Sequence, residues 1–204
     1  MNNASFWDKA AAKYAKDPIS DIKAYAQTRD RMRAILQPHH RVLELGCGTG
    51  STALELADCV DTYIGTDVSS KMIEIAQSKQ TKNTPSHLCF SVCDAAILPS
   101  GEHDVIIALN VLHLLPDLEK VLSQIYNALP SGGLLIAKTG LLKDGSWFLP
   151  WIIPLMRAIG KAPYVRNLSE AALLNMLEKT GFLVSETMTQ GGVVPRMFII
   201  TKKP

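Results

Sequence analysis

The sequence predicts an α/β sandwich: a mostly parallel sheet covered by helices on both faces and finished by an antiparallel hairpin. Three observations carry this expectation. Short apolar runs such as Val42, Leu43 and Leu45, or Val105 to Leu109, alternate with amphipathic helical patterns from residue 41 to residue 138. The first junction between such a run and a helix holds Gly46, Gly48 and Gly50. The chain then finishes in two strand-like runs joined by Gly191 and Gly192. At 204 residues with 47% hydrophobic content the chain suits a single domain with its own core.

Composition excludes several classes. A formal net charge of +2 with 20% charged residues gives no general pull toward nucleic acid or an anionic membrane. No stretch approaches the roughly 18 uncharged apolar residues of a spanning helix, and the N-terminus MNNASFWDKAAAKYAKD has no apolar core of a leader. We therefore expect no transmembrane span and a cytoplasmic location. Cys47, Cys59, Cys89 and Cys93 show no CxxC spacing and are read as reduced, with no metal site; Cys89 and Cys93 are read as packing residues of one strand face.

In chain order, residues 6–36 read as two helices broken near Asp17, Pro18 and Ser20, with Ser20 as a candidate cap and Ile22, Tyr25, Met32, Ile35 and Leu36 inward. Phe6, Trp7 and Tyr14 give the first helix rings that either dock it on the core or form a flap over a ligand. The glycine turn at 46–50 follows a strand and opens a helix whose free N–H groups face the turn, an arrangement suited to a bound cofactor. A second unit ends its strand at Asp67 and caps its helix with Ser69, with Met72, Ile73 and Ile75 or Ala76 inward. Asp67 stands about 20 residues beyond the glycines, where nucleotide-binding sheets hold an acid against ribose hydroxyls. Asp94, after the third strand and before Ala95, is placed to accept from an adenine amino group, or is a plain loop acid. The fourth unit runs from Val105 through a connection at Asn110 to Leu115 into a helix capped by Asp117, with Leu118, Val121, Leu122, Ile125 and Leu129 inward; residues 134–138 form a fifth strand.

Residues 141–166 break the rhythm. They carry Trp147, Phe148, Trp151, Ile152, Leu155 and Met156, while Pro150, Pro154 and Pro163 forbid one long helix. Such an insertion suits a hydrophobic substrate lid, a satellite core, or a membrane-surface contact. Tyr14, Trp147, Trp151 and Met156 are the residues we expect to face a substrate. Ser169 caps the last helix, with Leu168 and Leu173 as staple, Leu173, Leu174 and Leu177 inward and Gly181 at its end.

With this order in hand, residues 41 to about 140 resemble the class I methyltransferases that use S-adenosylmethionine. Glu44-Leu45-Gly46-Cys47-Gly48-Thr49-Gly50 looks like their first motif, where a nicotinamide fingerprint would want glycine at Ser51. The resemblance implies a Rossmann-like three-layer sandwich with a seven-stranded sheet and an antiparallel last strand. It implies a helical cap at 1–40, a cofactor-binding domain at 41–140 and 167–204, and the insertion at 141–166. It implies that Gly46 and Gly48 admit the methionine part of S-adenosyl-L-methionine, with Glu44 holding its ammonium, Cys47 in the variable slot and Gly50 closing the turn. By the same likeness Asp67 takes the ribose diol, Val68 and Met72 border adenine, Asp94 and Ala95 meet its amino group, and Asn110 lines the cleft. NVLHLL stands after the fourth strand where amino-methylating nucleic-acid enzymes carry Asn/Asp-Pro-Pro-Tyr, so the chain looks more like the small-molecule group. The expected acceptor is a small, partly apolar molecule. The expected product of the donor is S-adenosyl-L-homocysteine. His113 is the candidate base, because imidazole titrates near neutrality, or else it is a core or helix-start histidine. The rival reading is a non-catalytic partner protein that binds S-adenosylmethionine on the same fold.

Overall fold

The structure, a computed structural model, describes residues 3–19 and 21–204. Two helices lead in, α1 (Asn3–Lys16) and α2 (Ile22–Ile35). Five strand and helix units follow: β1 (Arg41–Leu45), α3 (Ser51–Leu56), β2 (Thr62–Asp67), α4 (Ser70–Ser78), β3 (Leu88–Val92), β4 (Val105–Leu109), α5 (Leu118–Ala128) and β5 (Leu134–Gly140). The chain ends with α6 (Leu149–Ala158), α7 (Glu170–Thr180), β6 (Leu183–Gln190) and β7 (Arg196–Lys202). The seven strands make one sheet in the order β3-β2-β1-β4-β5-β7-β6. β1 to β5 are parallel, and β7 runs antiparallel between β5 and β6. This is the expected mostly parallel sheet with a reversed last strand.

The period of two along each strand divides the core between the two faces. Leu43, Leu45, Ile106 and Ala108 point to the face covered by Leu118, Leu122, Leu173 and Leu177. Val42, Val105 and Ile107 point to the face that holds Met32, Leu56, Ile73 and Phe90. Since β1 to β5 are parallel, their carboxyl ends line one edge of the sheet, and the glycine turn, Asp67, Asp94 and Asn110 all follow strand ends on that edge.

Several local expectations are corrected. On α2 the expected Met32 and Leu36 are buried and Ile35 packs against the core, but Ala24 and Thr28 are buried as well, Tyr25 is only half-buried and Ile22 is exposed. The expected cap at Ser20 lies outside the described residues; the Asp21 carboxylate accepts from the Ala24 N–H at 2.8 Å. Asp117 occupies the N-cap position of α5 without a side-chain cap bond. Cys89 faces solvent because β3 is an edge strand covered on one face only. Leu141 and Leu142, assigned to the insertion, belong to the core. Other expectations hold: Ser69 and Ser169 cap α4 and α7, and Gly181 closes α7 in the left-handed conformation.

The insertion forms α6, with Pro150 in its first turn, where no N–H is needed, and Pro154 inside it. No residue of α6 is buried. Both flanks are tied down: the Ser146 N–H donates to the Val193 carbonyl at 3.1 Å, and the Arg166 N–H donates to the His113 carbonyl at 2.7 Å.

Candidate active site at the carboxyl edge of the sheet

The glycine turn is built by two different requirements. Gly48 has φ +55°, and a Cβ there would meet only the Tyr14 ring, at 3.8 Å. That side of the turn faces open space, a cradle that admits a ligand against bare backbone. Gly50 answers to the protein instead: φ is +75° and a Cβ would lie 2.7 Å from Phe90 Cζ and 2.9 Å from Ala76 Cβ. Gly46 is likewise crowded, by Val111 at 2.9 Å. Of the three glycines expected to serve the cofactor, Gly48 is the one that opens on the cleft. Cys47 contributes backbone only, since its side chain packs in the core and burial pushes its thiol pKa up.

Asp67 links this turn to α4. One carboxylate oxygen accepts from the Gly48 N–H at 3.0 Å and the other from the Ser69 N–H at 2.9 Å. Burial raises its pKa, opposed by these backbone donors and reinforced by the nearby charge of Asp8. Each oxygen retains acceptor capacity for a further donor. Glu44 lies behind the turn, almost fully buried, and accepts from the Tyr63 hydroxyl at 3.0 Å. Burial lifts its pKa to about 7, with the Tyr63 bond acting against the shift and the Asp67 charge acting with it.

The first helix reaches this site, which sequence reading left open. The Asp8 carboxylate accepts from the Ser69 hydroxyl at 2.6 Å and from the Lys71 N–H at 3.2 Å. Tyr14 stands over Gly48 and packs edge-on against Trp7, with ring centroids 6.4 Å apart. The free first-turn N–H groups of α4 draw the acid to that end.

The remaining predicted residues differ in their placement. Asn110 adopts φ +57° at the end of β4, and its N–H donates to the Lys138 carbonyl at 2.6 Å. A left-handed non-glycine residue here bends the chain sharply at the cleft edge. Val68 is half-buried, whereas Met72 and Ala95 are buried in the core. Asp94 is exposed and accepts from the Ala96 N–H at 2.9 Å, the geometry of a loop turn. Trp147 and Trp151 are 82% and 79% exposed, and Met156 is also exposed; Trp147 packs edge-on with Phe148.

His113 sits in a short 3-10 turn after β4. Its Nδ1 accepts from the Gly140 N–H at 3.3 Å and lies 3.0 Å from the Thr139 hydroxyl oxygen. With Nδ1 occupied as an acceptor, the neutral ring carries its proton on Nε2. Burial lowers the pKa to about 4, and the Arg196 charge adds to the shift. The ring is therefore neutral at physiological pH.

Several contributors were not read from the sequence. Nothing in the local pattern singles out Tyr63 or Asp8, yet they brace Glu44 and Ser69. Lys138 is buried beside the cleft edge, its ammonium donating to Thr28 Oγ1 at 2.9 Å. Burial lowers its pKa, and the charge of Arg196 adds to that effect. Only the polar letter inside an apolar strand, Lys in LLIAK, marked it in the sequence. Among the described residues no group of three or more His, Cys, Asp or Glu side chains is placed to hold a metal ion.

The comparisons with known proteins bear on this arrangement. The profile of a family described as a methyltransferase domain matches residues 16–187. The chain belongs to that methyltransferase-domain family, and its fold is that of the class I S-adenosylmethionine-dependent enzymes. Among similar curated proteins, carboxy-S-adenosyl-L-methionine synthase of Trichodesmium erythraeum is 30% identical over 179 residues, 76% of this chain and 70% of that protein. Phosphoethanolamine N-methyltransferase 2 of Caenorhabditis elegans is 27% identical over 157 residues, 74% of this chain. The chain spans 34% of the length of that relative. The crystal structure of the N-methyltransferase NodS from Bradyrhizobium japonicum, in complex with S-adenosyl-L-homocysteine, superposes with a TM-score of 0.75 at 17% identity, covering 100% of both chains. That likeness concerns the fold.

Proposed function

We propose that this protein binds S-adenosyl-L-methionine across Gly48, Asp67 and the loop at Asp94 and Ala95, and transfers its methyl group to a small, partly apolar acceptor. The observation that carries this reading is the open side of Gly48, whose N–H is held by the buried Asp67 carboxylate and where an added Cβ would meet only the Tyr14 ring. When bound, the donor supplies a methyl group on a sulfonium, already an excellent leaving group. Glu44 holds the donor's ammonium, Asp67 its ribose diol, and Val68 borders the adenine. Asn110 shapes the floor between donor and acceptor. α1, anchored through Asp8 and Tyr14, acts as a flap, and the insertion at 141–166 forms the acceptor wall and excludes water. Alignment of nucleophile, methyl and sulfur supplies much of the acceleration. Titration calorimetry with S-adenosyl-L-homocysteine tests the site, and labelled S-adenosyl-L-methionine with a panel of apolar phenols, amines and acids tests the transfer. No heat of binding overturns the reading.

Glu44 makes binding pH-dependent. Its carboxylate form is needed against the ammonium, and its pKa in the free protein is about 7. Affinity for S-adenosyl-L-homocysteine falls by up to about tenfold per pH unit below that value. Calorimetry between about pH 8 and about pH 6 shows this decline and proton release on binding, and Glu44→Gln flattens both. For folding the sign is opposite. A carboxyl whose folded pKa is raised favours the folded state below its unfolded value of 4.5 and loses that contribution as pH rises toward about 7.

His113 serves best as a hydrogen-bond donor that orients the acceptor. An obligatory base would have to act at Nε2, which carries the proton, or release Nδ1 from Gly140. His113→Ala is expected to lower kcat/KM for the acceptor by about tenfold while cofactor affinity stays unchanged. The activity profile of the natural protein is expected to show no histidine limb between about pH 5 and pH 8. A limb there that His113→Ala removes would restore the base assignment.

The rival reading is a non-catalytic partner that binds S-adenosylmethionine on this fold. Incubation with labelled cofactor and cell extract separates the two, because only an enzyme yields a labelled product.

A further inference from the structure

Between Trp147 and Ile159 the chain exposes an unusual density of large apolar side chains. Trp147 and Trp151 stand almost free, and Phe148, Ile152, Leu155 and Ile159 are exposed with them. Monomer surfaces seldom carry such patches without a partner. Folding α6 over the cleft would hide one side of a helix none of whose residues is buried. A second body is needed to cover the rest.

The charges indicate what that body is. From Gly145 to Ser169 the sequence contains no acidic residue, while Arg157, Lys161 and Arg166 lie within this run. Lys143 lies just before it, next to Asp144, whose carboxylate accepts from the Glu170 N–H. Lys143, Arg157 and Lys161 are exposed, and Arg166 is paired with Glu119. Arg157 lies over the Tyr164 ring at 5.1 Å, so its charge stays beside an aromatic surface. Among the described residues neither Lys143 nor Lys161 forms an ion pair. Exposed indoles and aliphatic chains flanked by unpaired cations match the boundary between acyl chains and anionic headgroups. The 10 residues of α6 give a helix of roughly 15 Å, half a bilayer core, so it lies in the plane rather than spanning. No helix among the described residues is long and apolar enough to cross a membrane.

We propose that α6 and its flanks seat this protein on a bilayer surface bearing anionic headgroups, with Trp147 and Trp151 in the acyl boundary and Lys143, Arg157 and Lys161 among the headgroups. The insertion leaves from β5 and returns at Arg166, whose N–H is bonded to the His113 carbonyl. The docking itself does not depend on methyl transfer.

The test is sedimentation of the full chain with vesicles of phosphatidylcholine, with and without phosphatidylglycerol, alongside tryptophan emission. The protein is expected to pellet with the phosphatidylglycerol vesicles, with a blue shift, and to be released by high salt. Trp147→Ser with Trp151→Ser is expected to weaken partition at least about tenfold, with the circular dichroism spectrum unchanged because both indoles are exposed. Lys143→Glu with Lys161→Glu is expected to abolish the preference for anionic vesicles. Absence of pelleting, or pelleting that neither variant reduces, overturns the proposal. So does a vesicle-free dimer, seen by velocity sedimentation and lost in the tryptophan variant, because a second copy would then cover the helix.

Discussion

Replacing Gly50 with alanine is expected to lower the unfolding free energy by roughly 2–5 kcal/mol, which combines about 1–2 kcal/mol for a left-handed non-glycine residue with about 1–3 kcal/mol for overpacking. The second part arises because the new methyl group would sit 2.7 Å from Phe90 Cζ and 2.9 Å from Ala76 Cβ. Phe90 has little freedom to retreat, since its ring is buried over the bare Cα of Gly65 on the neighbouring strand. Thermal unfolding should shift by roughly 2–4 °C for each kcal/mol lost. Gly48→Ala meets no such wall and is expected to cost only the left-handed part, about 1–2 kcal/mol, while narrowing the open side of the turn. Gly48→Ala thus weakens ligand binding with modest unfolding, and Gly50→Ala unfolds the turn. Equal stability losses in the two variants would refute this division.

Asp67→Ala is expected to weaken S-adenosyl-L-homocysteine binding by about 1.5–3 kcal/mol, roughly ten- to a hundredfold, the scale of hydrogen bonds to a charged group. The carboxylate also holds the N–H groups of Gly48 and Ser69 in place. Removing it therefore loosens the turn as well as the ribose contact. Asp67→Asn separates the two effects, because the amide oxygen can still accept from one backbone N–H while the charge is gone. Calorimetry showing unchanged affinity for both variants would remove Asp67 from the site.

The local features of the site were legible because their causes are local. Ser69 follows Asp67 by two residues, and the cap and the acid follow from the first turn of α4. The three glycines fall within one tight connection. What was not legible depends on residues brought together from far along the chain. Gly50 needs its bare Cα because of Phe90, and Gly46 because of Val111. Asp8 meets Ser69, and Lys138 meets Thr28 across 110 positions of sequence. The inward face of α2 was legible only in part for the same reason. Apolar spacing marks Met32 and Leu36 but also the exposed Ile22, whereas Thr28 turns inward, where its hydroxyl accepts from the Lys138 ammonium together with the Ala24 carbonyl.

The sequence by itself determined the alternation of strands and helices, the glycine turn with Asp67 downstream, and the closing hairpin. Period, caps and turn chemistry act over a few residues and are written in order. The tertiary structure alone decided that β7 inserts between β5 and β6, that Tyr14 stands over Gly48, and that Nδ1 of His113 is tied to Gly140. It also decided that no residue of α6 is buried. Strand order, tautomer and exposure depend on which distant surfaces meet, and neither periodicity nor local propensity carries that information.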